Sequence, residues 1–431
     1  MESPSERVEN VLIRSPVARP RPPRRAVSAA AARTAGLALV LAACTPAATP
    51  GASGTAAPGS ASATPTPQPT LAIARSVPFD QPATFSVTNG TLESAVVKGH
   101  LHGTPLPGSV QANGTTWVSD SLPTPSASYD VTAQVRGKDG QSRTLLGQLV
   151  VATLAAKNRL GYTVTPFEGW TVGVNAPIVI RFDKPVQDKA AVEQQLTVAT
   201  TTPLLGSWHW VNTSEVHFRP QVAWPAHSQV QVSVQLAGAK TGPSQWGATN
   251  TTVRFSIGDV HLTKVDGKKH TLTVLVNGRT WAVWPTSLGR PEFVTRTGYY
   301  TVLLKQPTRR MTSCNAGITC SPSNPNFYDL TVNWDVRLTY SGTFIHSAPW
   351  SVRSQGVDNV SHGCINLSPA HATAYYNLAQ YGDLVVVTGT NRGPQDLLAS
   401  GDPGMADWNQ TFTAYAAGSA LGGAITTQQL D

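Results

Sequence analysis

A chain of 431 residues with 36 Gly, 33 Pro and only 13% charged residues has the composition of turn-rich β proteins that work outside the cell. The formal net charge of +8 is not arranged as a Lys/Arg stripe interleaved with aromatics, so a nucleic-acid partner is not expected.

Much of that charge sits at the N-terminus. Seven arginines and three acids lie between Met1 and Arg33, and a short apolar run from Ala35 to Ala43 follows. This is the pattern of a secretory signal, residues 1–43, whose apolar run is far below the ~20 residues of a membrane span. The segment carries +4, which leaves a mild +4 on the rest. Leu41-Ala42-Ala43-Cys44 resembles the lipobox of bacterial lipoproteins, which implies cleavage before Cys44 and a diacylglyceryl anchor on its sulfur. Ordinary signal cleavage with an incidental Cys44 is the alternative. Residues 44–70, rich in Ala, Pro, Ser and Thr, have nothing with which to build a core and are expected to be a tether.

From there the hydrophobic period is two rather than 3.6. Val230, Val232, Val234 and Leu236 alternate with polar residues, as do Val131, Ala133 and Val135. A weak repeat relates "VQANGTTWV…LPTPSASYDVTAQV" to "WHWVNTSEVHF…AWPAHSQVQVSVQL", about one sandwich length apart. Two immunoglobulin-like domains are therefore expected, at residues 71–156 and 157–257. Their core and interfaces are assigned Trp208, Trp210, Trp224, Trp281 and Trp284. A third β-rich domain, 258–390, contains the hairpin signal Asn277-Gly278 between "TLTVLV" and "RTWAVW". Ser368-Pro369 should open a helix through about Gln380, before the buried strand "DLVVVTG". Residues 391–431 are expected to form a small C-terminal subdomain and tail. It would pack back on the preceding domain through Trp408 and Tyr415.

Beyond Cys44, three cysteines remain. Cys314 and Cys320 bracket the polar, breaker-rich "CNAGITC", and in an oxidising compartment they are expected to close a disulfide loop. Metal ligation is the rival, but no Cys or His follows at zinc spacing. Cys364 is left over, and an odd thiol in an exported chain points to reactivity. As a nucleophile it needs a base, an orienting group for that base, and donors for an oxyanion. Gly363 would let the amides of His362, Gly363 and Cys364 converge as such donors. His362, which shares a face with Cys364 in extended chain, and the more distant His346 both qualify as the base, and local sequence does not choose between them.

The segment "HSAPWSVRSQGVDNVSHGCINLSP", residues 346–369, resembles the signature of L,D-transpeptidases with the YkuD-like fold, especially the mycobacterial type. The likeness is dense from Trp284 to Asp383. It implies a mainly β chain: two immunoglobulin-like sandwiches, then a YkuD-like catalytic sandwich with one short helix and a small C-terminal subdomain. It also implies Cys364 as nucleophile, His346 as base and Ser347 as the group that orients the imidazole. His362 and Gly363 would shape the site and its oxyanion hole, and Tyr328, Asn366 and Trp350 would be substrate-side residues. The departure lies in "MTSCNAGITCSPSNPNF", where relatives have a Ser/Tyr/Gly-rich lid. The implied reaction joins peptidoglycan stem peptides, a donor tetrapeptide and an acceptor stem, by 3→3 cross-links through a thioester. Neither metal nor other cofactor takes part, and carbapenems would acylate the thiol. A monomer held to the membrane by its lipid and facing the wall is expected. The alternatives are a wall cysteine carboxypeptidase, and a lipid-anchored wall-binding protein with an inactive catalytic domain.

Overall fold

The computed structural model describes residues 66–101, 103–395 and 402–430. The signal segment, Cys44 and most of the tether lie outside the described residues. The chain is mainly β, and its alternating apolar residues are what turn each strand into one side of a core.

In the first sandwich, strands Thr70–Ala72, Thr84–Thr88, Thr116–Ser119 and Gly108–Val110 form one sheet. Gly90–Gly99, Ser128–Gly137 and Ser142–Val150 form the other. Phe85 and Trp117 stack at 5.1 Å and meet Val131, Ala133, Val135 and Leu149 from the opposite sheet. Gly108 allows this packing, since a Cβ there would lie 2.2 Å from the Trp117 ring.

Two five-stranded sheets make the second sandwich. One orders Thr171–Val172, Asn250–Ile257, Gln229–Gln235, Leu196–Thr200 and Gln428–Gln429. The other orders Ile425–Thr426, Leu205–Trp210, Glu215–Pro220, Ile178–Phe182 and Tyr162–Thr165. The Val230/Val232/Val234 alternation points into a core with Trp208, Phe218 and Trp224, and the Trp224 indole donates to the Ala176 carbonyl at 2.7 Å. This core also takes in Val260, Leu262, Leu384 and Val386 from the third part of the chain.

The tail packs back on the third part as expected through 402–409, where Met405 joins its core and Asn409 accepts from Tyr299 N at 2.8 Å, and then, against expectation, crosses to the second sandwich. Ile425–Thr426 pairs antiparallel with Leu205–Gly206, and Gln428–Gln429 pairs parallel with Ala199–Thr200. Two-residue strands carry no periodic signal, so composition could not place them. Trp408 donates to the Asn175 carbonyl at 3.0 Å, and Tyr415 is fully buried. Both lie against the Arg219 guanidinium, at 4.6 and 4.5 Å. A buried imidazole completes the seam. His217 Nδ1 faces both Asp407 carboxylate oxygens at 3.0 Å, and its Nε2 faces Glu215 at 2.7 Å.

In the third part, one sheet orders Arg279–Pro285, Thr271–Val276, His261–Asp266, Leu384–Thr388 and Gly298–Thr301. The Asn277-Gly278 hairpin forms with both residues at positive φ (50° and 76°). The second sheet orders Leu304–Thr312, Asp329–Arg337, Phe344–Ser347 and Ile365–Leu367. Between them lies a core of Leu272, Val274, Tyr300, Val336, Ile345, Ile365 and Leu367. The helix Pro369–Leu378 is capped by Ser368 Oγ and buries Ala372 and Tyr375 in the same core. Trp281 departs from its expected burial. It is 47% exposed on an edge strand, T-shaped against Trp284, which in turn stacks on His371.

Candidate active site

The second sheet of the third part positions the site. Phe344–Ser347 and Ile365–Leu367 run parallel, with Ile345 opposite Ile365, His346 opposite Asn366 and Ser347 opposite Leu367. In a parallel ladder, paired side chains share a face, and alternate residues along a strand return to it. His346 and Asn366 therefore share a face. Cys364 immediately precedes Ile365, the first residue of that ladder. A crossover of seventeen residues, 348 to 364, ends on Cys364, just ahead of the strand that lies beside that of His346.

His346 is buried, and its Nδ1 lies 2.9 Å from the backbone carbonyl of Ser347. A carbonyl only accepts, so Nδ1 carries the proton and Nε2 is left as a lone-pair acceptor. The orienting group of Ser347 is thus its backbone oxygen rather than its hydroxyl. Ser347→Ala should accordingly leave the acylation rate within about threefold of the native value, measured with a chromogenic β-lactam. A large loss would mean that the hydroxyl carries the orientation.

Burial holds the His346 imidazole down at about 4, partly offset by its bond to the Ser347 carbonyl. The Cys364 thiol is pushed up to about 12 by burial, against the pull of the Phe344 backbone amide and with a further push from the Asp335 carboxylate. At neutral pH the resting pair is therefore a thiol and a neutral imidazole, not an ion pair. The thiol donates to the Gly342 carbonyl at 3.8 Å. The turn presenting that carbonyl is itself held from the tail, because Asp402 accepts the amides of Tyr340 and Ser341 at 3.1 and 2.8 Å. From the second sandwich, Arg181 donates to the Tyr340 hydroxyl at 2.9 Å.

The chain is not extended through 362–364, since Gly363 has φ +116°. This removes the face-sharing argument for His362 as the base. Its ring instead lies between Phe293 and Tyr328, with centroids 4.9 Å from each. Burial lowers its basicity, helped by the nearby Arg290 guanidinium. Tyr328 is raised to about 12 by its own burial and by the charge Cys364 would carry as thiolate. The expected convergence of three amides needs correcting: the Gly363 N–H already donates to Ser361 Oγ at 3.0 Å. Ser361 Oγ in turn donates to the Cys364 carbonyl at 2.6 Å.

Asn366 is buried. Its Nδ2 donates to Ser351 Oγ at 3.1 Å, while its Oδ1 has no partner among the described residues. Trp350 is 58% exposed, with its ring 6.1 Å from that of His346. Cys314 and Cys320 are disulfide-bonded. Sequence reasoning missed the belt around the loop. Thr295 Oγ1 donates to the Gly363 carbonyl at 3.0 Å and accepts from Gly289 N at 2.9 Å. Arg290 lies against Phe293 and donates to Asn326 at 2.6 Å. Only tertiary pairing of 289–295 with 361–363 reveals these residues. Ser361 stands immediately before His362, and its double hydrogen bond has no local signal.

Comparison with known proteins agrees with this architecture. A bacterial Ig domain family matches residues 74–240, and the L,D-transpeptidase catalytic domain family matches residues 261–387. L,D-transpeptidase 2 of Mycobacterium tuberculosis is 33% identical over 344 residues, covering 80% of this chain and 82% of that protein. L,D-transpeptidase 1 of the same species is 38% identical over 227 residues, 53% of this chain and 84% of that one. Among solved structures, LD transpeptidase LdtMt1 in complex with imipenem is similar at 38% identity, with a TM-score of 0.47 over 53% of this chain and 99% of that one. An L,D-transpeptidase from Mycobacterium smegmatis gives 39% identity and 0.45 over 53% and 99%. One-third identity along four-fifths of a relative, with the catalytic-domain family matched over residues 261–387, which hold His346 and Cys364, establishes that this chain belongs to the L,D-transpeptidases.

Proposed function

We propose that the chain cross-links peptidoglycan stems 3→3, with Cys364 as nucleophile and His346 as general base. What supports this most is the parallel register that sets the strand following Cys364 beside that of His346, with the His346 tautomer fixed by the Ser347 carbonyl. The thiol proton passes to His346 Nε2 as sulfur attacks the carbonyl at the L-centre of the third residue of a tetrapeptide stem. That residue is a diamino acid such as meso-diaminopimelate. The bond to terminal D-Ala breaks, and D-Ala leaves with the imidazolium proton. The side-chain amine of a second stem then takes the acyl group, and the thiol is restored.

The oxyanion falls to the amides of His362 and Cys364, since that of Gly363 is engaged. Trp350, half-exposed Tyr328 and Asn366 border the stem's path. The domain division 71–156, 157–257, 258–390 and 391–431, and export with lipidation at Cys44, complete the proposal. Imipenem bound to LdtMt1 supports a carbapenem as a probe of the thiol.

The test is to incubate the protein with disaccharide-tetrapeptide and resolve products by mass spectrometry. Cross-linked dimer with one free D-Ala per link is expected, abolished by Cys364→Ala. Trimmed tripeptide without dimer would make the chain a carboxypeptidase. No turnover by folded protein would leave a wall-binding role.

A further inference from the structure

We propose that the Cys314–Cys320 loop is a positioning device that sets Tyr328 over the active-site loop; the proposal rests on Cys364 being the nucleophile. The disulfide closes the tip of the hairpin formed by Leu304–Thr312 and Asp329–Arg337. At its base lies Ser313, which is fully buried although polar. Ser313 Oγ donates to the Thr319 carbonyl at 2.7 Å, and the Ser313 carbonyl accepts the amides of Ile318 and Thr319 at 2.9 and 3.3 Å. The loop thus wraps around a single residue.

That same residue holds Tyr328 from the other side. Ser313 N donates to the Tyr328 carbonyl at 2.9 Å, and Tyr328 N donates to Ser313 Oγ at 3.2 Å. Both backbone polar groups of Tyr328 are therefore fixed by the residue next to Cys314. Its ring packs on His362, two positions before Cys364. The intervening 321–327 stretch is short and turn-rich, with Phe327 N donating to the Asn324 carbonyl at 2.9 Å. Arg290, beside Phe293, holds Asn326.

A covalent cross-link over so few residues removes freedom that a ligand would otherwise have to remove on binding. The contribution should therefore appear in affinity rather than in the chemical step. Cys314 and Cys320 touch nothing that reacts, and Tyr328 is the group through which they act.

The experiment follows imipenem adduct formation by intact-protein mass spectrometry across carbapenem concentrations. It compares the native chain, C314A/C320A, Y328A and the triple variant. Removing the disulfide should raise the half-saturating concentration about tenfold and leave the limiting rate within about twofold. In the Y328A background the same removal should add less than about twofold, because the two changes break one linkage. The native chain with its disulfide reduced by a phosphine should match C314A/C320A, which covers a variant that folds poorly. Unchanged half-saturation, a loss confined to the limiting rate, or additive losses with Y328A would each overturn the positioning role while leaving the nucleophile intact. A native chain that forms no adduct would overturn the nucleophile itself, and this proposal with it.

Discussion

Replacing His346 by glutamine should lower the rate of carbapenem acylation by about a thousandfold near neutral pH, within the range that a positioned base contributes. The diagnostic is the pH profile. With the imidazole held at about 4 and the thiol at about 12, the native pair is neutral across the whole intervening range. The native rate should fall as pH drops through about 4, where the imidazole takes up a proton and ceases to be a base. Above that it should be level, because proton removal from sulfur occurs within the reaction rather than before it. The glutamine variant has no internal base and must draw on the thiolate formed by solvent hydroxide. Below about 12 its rate should therefore climb tenfold per pH unit. A variant whose profile parallels the native one would remove His346 from the proton path. A resting ion pair would betray itself through fast alkylation by iodoacetamide at neutral pH.

The second large effect lies far from the thiol. His217 is enclosed by acceptor-only carboxylates on both ring nitrogens, so both nitrogens must donate and the ring is an imidazolium. Although burial works against it, the charges of Asp407 and Glu215 raise it from 6.5 to about 9. Glu215, opposed by its own burial, is drawn down from 4.5 to about 2 by His217 and Arg181. The signs give the window. The His217 contribution is whole below pH 6.5 and is lost as pH rises through 9, because the folded state holds a proton that the unfolded state has released. The Glu215 contribution is whole above 4.5 and is lost as pH falls through 2.

Asp407→Ala strips one carboxylate from a buried cation and should cost about 3–5 kcal/mol at pH 6. Urea unfolding of the native and variant chains at pH 6 and above pH 9 checks this. The gap should narrow at the higher pH, where the native imidazolium has lost its own proton. An equal gap at both would deny the ring its charge.

Particular residues show what could be read in advance. Asn277-Gly278 and Ser368-Pro369 act through their own backbone preferences, so the hairpin and the helix start were visible locally. The helix stops at Leu378, short of the expected Gln380, and Ala379 takes the cap. Alternating valines at 230–234 announced a sandwich because each inward residue needs an apolar partner. His346 and Cys364 could be paired only by resemblance, since a parallel ladder is set by the crossover and not by either strand alone. His217 and Asp407 stand 190 positions apart, and no local rule connects a histidine in a strand to an aspartate beyond a distant helix. Only the end of the tail departs from the reading, for the same reason: Ile425–Thr426 and Gln428–Gln429 become strands only because an edge is waiting for them.

That edge bears on the order in which the chain matures as it emerges. The first sandwich closes on residues that all precede 152, so it has every strand it needs early. The second does not. Its core borrows Leu384 and Val386, its sheets are finished by 425–429, and the charge on its His217 is balanced by Asp407. Until those late stretches arrive, the middle of the chain carries an unsealed apolar flank and two open sheet margins, the kind that stick to other chains. Translocation that stalls after the catalytic strands would thus strand a module whose own sequence is already complete, and quality control would meet it as an unfinished domain.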